Sequence, residues 1–217
     1  MRFQDPARDG RAVVYAAIQA DPLVARAGEL LAEASTAERI LARAVMNGES
    51  SDPARWRAMF PGLFNPPSDR AEAVLAVALA VADRGEQVRS QLRGAIVEEL
   101  TARLLARRAP AGRIRPESRI LFDGVAAEIH PYDVTVELPG AAEAFDCKWG
   151  ARGISADVLY QLDDARTHAA DEDEALRVAL VIFDAERSCL VRLEAQTAPI
   201  GGTRLIAIET LDSLGTR

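Results

Sequence analysis

The sequence predicts an α/β fold: a mixed β-sheet flanked by helices, preceded by an all-helical N-terminal region. Three observations carry this. Residues 1–83 show helical spacing and helix-forming composition with few strand signals. Beyond about residue 110 the pattern changes to alternation with period two, ending in the continuous apolar run "LRVALVIFDA". Helical stretches of about 86–108 and 156–170 stand before and between the strand candidates.

Taken in order, "RAVVYAAIQA", "PLVARAGELLAEASTAERILARAVM" and "RAEAVLAVALAVAD" read as helices. Asp21-Pro22 supplies a cap and a first-turn proline. "NGESSDP" and "FPGLFNPPSD" break the helices apart. The pattern shifts near Arg84-Gly85, which divides the chain into a helical region, 1–83, and a second domain, 84–217. That domain opens with a long helix carrying Ile96, Leu100 and Leu104 on one face. After "APAGRIRPES" come three strand candidates: "RILFDG", "YDVTVEL" and, past Pro139-Gly140, "AEAFDCKWG". Ser155 opens the next helix, and "LRVALVIFDA" follows as a strand buried on both faces. "CLVRLEA" and "RLIAIETL" are weaker strand candidates. Residues 1–83 carry no constellation that connects to chemistry.

With 217 residues, 49% hydrophobic and 27% charged, the chain can bury a sizeable core. No basic-apolar-small leader pattern starts it, and the run Ala71–Val81 is too short for a bilayer, so no membrane association is expected. Cys147 and Cys189 form no disulfide framework or CxxC pair, and His130 and His168 lack metal-site spacing. A cytoplasmic protein with reduced thiols is expected. The net charge of −7 disfavours nucleic-acid binding through bulk electrostatics. Such a function needs a local patch, metal ions or a partner. Arg103, Arg107, Arg108, Arg113, Arg115 and Arg119 form a basic stretch interrupted only by Glu117; it reads equally as a phosphate track and as a solvated helix end.

Positive charge is written as arginine everywhere but once: 25 arginines stand against one lysine, Lys148 in "AFDCKWG". In a strand, residues two apart share a face, so Asp146 and Lys148 lie side by side, with Phe145, Cys147 and Trp149 opposite. The preceding strand sets Asp133, Thr135 and Glu137 against Val134, Val136 and Leu138. A hairpin centred on Pro139-Gly140 pairs residues whose numbers sum to 279, which puts Asp133 across from Asp146 with Cβ atoms about 4.5–5.5 Å apart. Two such carboxylates repel unless a cation lies between them, and magnesium or manganese would suit oxygen donors. Lysine, unlike arginine, is a compact charge whose pKa falls on burial, so it can orient or deprotonate a water.

"Pro131-Tyr132-Asp133" and "Asp146-Cys147-Lys148" resemble the two halves of the PD-(D/E)xK motif of the restriction-endonuclease-like nucleases, the first half with one residue inserted. Twelve residues separate the aspartates, which suits adjacent strands, and the likeness extends in element order over roughly 85–185. The resemblance implies a restriction-endonuclease-like core in which Asp133 and Asp146 ligate Mg2+ (or Mn2+), with a glutamate from the preceding helix. Glu98 is preferred, since Gly94 and Ala102 at i−4 and i+4 would let that face approach the sheet; Glu99 is the alternative. Gln161 fits a glutamine that many members carry on the following helix. Ala165 replaces the tyrosine of exonuclease-like members, which speaks against an exonuclease.

By this resemblance the chain is a metal-dependent endonuclease of nucleic acid, with DNA the expected substrate and RNA a further option. It would serve restriction, phage defence or a mobile element, as a homodimer or with a partner protein at the helical region. The competing expectation is a non-catalytic nuclease-fold module that acts through a protein partner. Cys147 is read as a buried structural thiol, Trp149 and Tyr160 as packing residues, His130 as an incidental histidine beside Pro131, and "DEDE" at 171–174 as a solvated loop.

Overall fold

The computed structural model describes residues 2–4, 10–122, 125–126, 131–198 and 201–216; His130 lies outside them. One mixed sheet runs β1 (Arg2–Gln4), β2 (Ile114–Phe122), β4 (Tyr132–Leu138), β5 (Ala141–Lys148), β6 (Leu176–Ile182), β7 (Arg204–Ile206), with the short β3 (Val125–Ala126) also on β2. The pairings from β1 to β5 are antiparallel, and β5–β6 and β6–β7 are parallel. A parallel pair needs a crossover, and α8 (Ala156–Asp171) supplies it between β5 and β6.

The β4–β5 hairpin has the register expected from the sequence. Val134 pairs with Phe145, Val136 with Glu143 and Leu138 with Ala141, each summing to 279. Pro139-Gly140 is the whole loop, and Gly140 takes φ +70°, the left-handed value a type II turn requires at its second central residue. On the alternate face of β4, Thr135 is as buried as Val136, while Asp133 and Glu137 to either side of it are partly exposed.

Two cores sandwich the sheet. Val134, Val136, Phe145 and Cys147 pack with α7 (Glu86–Leu105) and, beyond it, with α2 (Pro22–Ala32), α3 (Thr36–Asn47) and α6 (Asp69–Ala82). Ala142, Ala144, Leu176 and Leu180 pack on the other side with Leu159, Leu162 and Ala165 of α8. The N-terminal helices therefore share a continuous apolar cluster with the sheet. Their ends are set locally: Asp21 caps α2 ahead of Pro22, and Ser35 and Glu38 form a reciprocal capping box on α3. Arg39 is fully buried, donating to the Leu31 and Ala32 carbonyls and to both Asp212 oxygens.

Three expectations need correction. Residues 1–83 are not all helical, since Arg2–Gln4 forms an edge strand on β2. "CLVRLEA" is not a strand but part of helix α9 (Glu186–Glu194); its Leu190 and Val191 are exposed and only Cys189 and Leu193 are buried, a one-sided burial that suits a surface helix. Only Arg204–Ile206 of "RLIAIETL" is strand; Ile208–Gly215 is a 3-10 helix packed against α7.

Candidate active site

The β4–β5 ladder ends at the pair Val134–Phe145, and the two strands present Asp133 and Asp146 just beyond it. The Cys147 N–H, past the last ladder pair, donates to Asp133 Oδ2 at 2.5 Å. This bond fixes the Asp133 carboxylate at the strand end. Lys148 Nζ lies 3.5 Å from Asp133 Oδ2 and is in ion-pair contact with Asp146 Oδ1. The ammonium thus sits between the two aspartates. Asp146 is 6% exposed, and its Oδ1 accepts no well-formed hydrogen bond beyond that ion pair.

The stem of Lys148 is held by the short 3-10 turn Ala151–Gly153. A Cβ on Gly153 would lie 2.7 Å from Lys148 Cβ and 2.8 Å from Cγ, so glycine is required for the turn to close over the lysine. Cys147 points away, with its Sγ 3.5 Å from Thr101 Oγ1 in α7, and burial pushes its thiol far above the ordinary value. A nucleophile role for it is unsupported.

Two acids complete the cluster. Glu98, on α7, is pushed up to about 9, first by burial and then by the charges of Asp133 and Glu117. Asp133 is pushed up to about 7 by burial and by Asp146, with Lys148 and the Cys147 N–H opposing. Glu117, in β2 at a left-handed φ of +48°, is also raised by burial, against the pull of Lys148. For Lys148 burial works to lower the pKa, but Asp133 and Asp146 outweigh it and hold the ammonium above its ordinary value. Of the two roles the sequence leaves open for the lysine, orienting a water or deprotonating it, a retained ammonium favours the first.

Of the two helix glutamates, it is Glu98 that joins the aspartates. Glu99 pairs with Arg103 at 2.6 Å and lies under α2, where a Cβ on Gly28 would come within 2.5 Å of its Cγ. The reason inferred for Glu98 does not hold. Gly94 does not let the helix approach the sheet; a Cβ there would meet nothing within 4 Å, and Gly94 lines a cavity beside α1 (Gly10–Gln19). Gln161 is buried on α8, on the opposite side of the sheet from α7.

Sequence reasoning missed Tyr15 and Gln19, both of α1. The Tyr15 hydroxyl donates to Glu98 Oε2, Gln19 Nε2 donates to the same oxygen at 2.6 Å, and Gln19 Nε2 also reaches the Tyr15 oxygen at 2.7 Å. The i, i+4 spacing was a signal that the two share a helix face, but nothing local says what that face meets. Glu117 was also missed, because its contacts depend on how β2 runs beside β4.

Four of the six arginines of the basic stretch are engaged by carboxylates of this chain. Arg103 pairs with Glu99, Arg107 with Glu33 and Asp212, Arg108 with Glu143, and Arg115 with Glu137. Trp149 packs against Phe183 with ring centroids 5.0 Å apart and donates to Asn47 Oδ1, while Tyr160 is exposed.

The donor set suits a hard divalent cation: it offers oxygen only, and four carboxyl groups face one ammonium. It is not a ready-made cage. Among the described residues no three His, Cys, Asp or Glu side chains converge closely enough to hold a metal ion, and the Lys148 ammonium takes the place between the aspartates. Among the described residues no helix is long and apolar enough to cross a membrane.

No protein-family model matches the chain, and no curated protein sequence does. Among solved structures, protein VC1899 from Vibrio cholerae is similar over 99% of this chain, at 18% identity and a TM-score of 0.49. The chain spans 57% of that structure's length.

Proposed function

We propose that this chain is a metal-dependent endonuclease of the restriction-endonuclease-like kind, hydrolysing phosphodiester bonds in DNA. The observation that carries the reading is the meeting of Asp133, Asp146 and Lys148 at the ends of two paired strands, with Glu98 brought in from α7. A fold alone gives no reason to gather one buried and three half-buried acids around one ammonium, because carboxylates withdrawn from water without a matching charge are costly.

By the resemblance, Asp133, Asp146 and Glu98 would hold the cation, Mg2+ or Mn2+, once they close on it and the Lys148 ammonium moves from between the aspartates. Such an ion polarises a phosphoryl oxygen and supplies the positive charge that the cluster lacks. Lys148, an ammonium at neutral pH, donates hydrogen bonds to the phosphoryl oxygens and offsets the charge that grows on them as water attacks phosphorus. Ala151–Gly153 fixes the lysine stem, so the ammonium travels only over the reach of its outer methylenes. Water adds to phosphorus, the bond to the leaving oxygen breaks, and the products are a phosphate monoester and an alcohol. The service in restriction, phage defence or a mobile element, with a homodimer or a partner protein at the N-terminal helices, belongs to the same proposal and rests on resemblance alone.

The second reading, a nuclease-fold module without catalysis, is favoured by two observations: four of the six arginines of the basic stretch are in internal ion pairs, and the net charge is −7. Plasmid DNA and labelled RNA incubated with the protein and Mg2+ or Mn2+ separate the two. The nuclease reading expects cleavage that falls on the order of 100–1000-fold in Asp146→Ala and Lys148→Ala. Cleavage of RNA but not DNA would change the substrate. If neither is cut and calorimetry shows no uptake of either ion, the module reading stands.

A further inference from the structure

We infer that Tyr15 and Gln19 are positioning residues for Glu98, so that helix α1 is a working part of the candidate metal site and not only a cover for the core. The inference rests on the nuclease reading above.

The geometry is specific. Tyr15 and Gln19 lie four residues apart, on one face of α1, and both give their donors to the same oxygen, Glu98 Oε2. Gln19 also donates to the Tyr15 oxygen, which ties the two donors to each other. A carboxylate gripped at one oxygen by two coupled donors has its orientation fixed. Among the described hydrogen bonds none reaches Oε1, which is left for a cation. Partners that orient a metal-binding carboxylate in this way govern affinity even though they never touch the ion.

The surroundings argue against a purely structural clamp. A cavity of about 440 Å³ separates α1 from α7, lined by Val14 and Ile18 on one side and by Ser90, Gly94 and Ala95 on the other. Val14 is 53% exposed. Among the described residues, the side chains of Val14 and Ile18 leave this space between α1 and α7 open, and the Tyr15–Gln19–Glu98 triad is a polar link across it. A helix recruited for stability would be expected to fill that gap with side chains.

The test uses the full chain and Mn2+ alone, titrated by calorimetry, followed by cleavage kinetics. Tyr15→Phe and Gln19→Met keep the side-chain volumes and remove the donors. Each is expected to weaken Mn2+ binding by about 10–100-fold and to lower kcat, with KM for DNA little changed. Asp146→Asn serves as the comparison that removes a direct ligand. If Tyr15→Phe and Gln19→Met bind Mn2+ as the wild type does while Asp146→Asn does not, the inference is overturned and the nuclease reading survives. A lowered melting temperature with unchanged Mn2+ affinity also overturns it, since that is what a clamp would give. A wild-type protein that takes up no Mn2+ and cuts no nucleic acid removes the nuclease reading and the inference together.

Discussion

Asp146 and Asp184 are equally buried, each 6% exposed, and they lie at the ends of neighbouring parallel strands. Their surroundings could hardly differ more. Asp184 Oδ2 accepts from Arg43 Nη2 at 2.5 Å and from the Ala151 N–H at 3.0 Å, and Oδ1 accepts from the Ala185 N–H at 2.8 Å. Arg43 spends its Nε on the Phe183 carbonyl, so α3 is bolted to the end of β6 with charges matched. Asp146 has one cation, shares it with Asp133, and stands in a cluster that also contains Glu98 and Glu117. Burial alone therefore does not separate a structural acid from a candidate working one. What separates them is whether the neighbouring charges balance.

The largest effect on stability is expected where they do balance. Asp184→Ala strands the Arg43 guanidinium and two backbone N–H groups and should destabilise the fold by about 3 kcal/mol, near the low end for a broken buried pair because Arg43 keeps some contact with water. Asp146→Ala removes one of several repelling charges and should cost less than about 1 kcal/mol, or stabilise. Urea denaturation of both variants checks this. Equal losses would erase the distinction between the clusters.

A smaller effect, in the pH dependence, isolates the unbalanced cluster. Glu98 goes from an ordinary 4.5 to about 9 in the folded chain, and Asp133 from 3.8 to about 7. Between the ordinary and the raised value the folded chain keeps a proton that the unfolded chain has released. Stability is therefore greatest below the ordinary values and falls as pH rises toward the raised ones. Above pH 7 the Asp133 contribution is spent and the remaining fall belongs to Glu98. In chelator, the wild-type melting temperature should decline from pH 7 to 8.5, while Glu98→Gln stays flat over that span. Parallel curves would mean that Glu98 ionises freely in the folded protein.

The balanced and unbalanced clusters were not equally legible in the sequence. Period-two alternation and a two-residue Pro139-Gly140 loop were enough to fix the β4–β5 register, and with it the approach of Asp133 and Asp146. The lone lysine marked the same spot. Those are local signals, carried by the residues of one hairpin. Asp184 gave none, because its partner Arg43 lies 141 positions earlier and one arginine among 25 is not conspicuous. Tyr15 and Glu117 were hidden for the same reason: their meaning depends on which elements the fold lays beside α7 and β4. The edge strand Arg2–Gln4 has three residues, too few for alternation to show. The error at "CLVRLEA" has another cause, since a short apolar run suits a strand or a helix until its burial is known.

Two glycines bring the comparison to its smallest scale. Gly153 touches Lys148, and an added Cβ would press on its Cβ, Cγ and Cδ at 2.7, 2.8 and 3.1 Å. Gly94 lines the cavity between α1 and α7, where an added Cβ meets nothing within 4 Å. In a helix interior, glycine costs roughly 0.5–1 kcal/mol relative to alanine, so Gly94→Ala should stabilise by about that amount. Gly153→Ala should destabilise by about 1 kcal/mol, because the turn or the lysine stem must give way. The decisive reading is cleavage set beside melting temperature. Gly153→Ala should lose activity on the order of tenfold, more than its modest instability explains, since it moves the ammonium relative to Asp146. Should Gly153→Ala cleave as the wild type does, the Lys148 stem does not need the turn that closes over it, and its placement must then come from the aspartates alone.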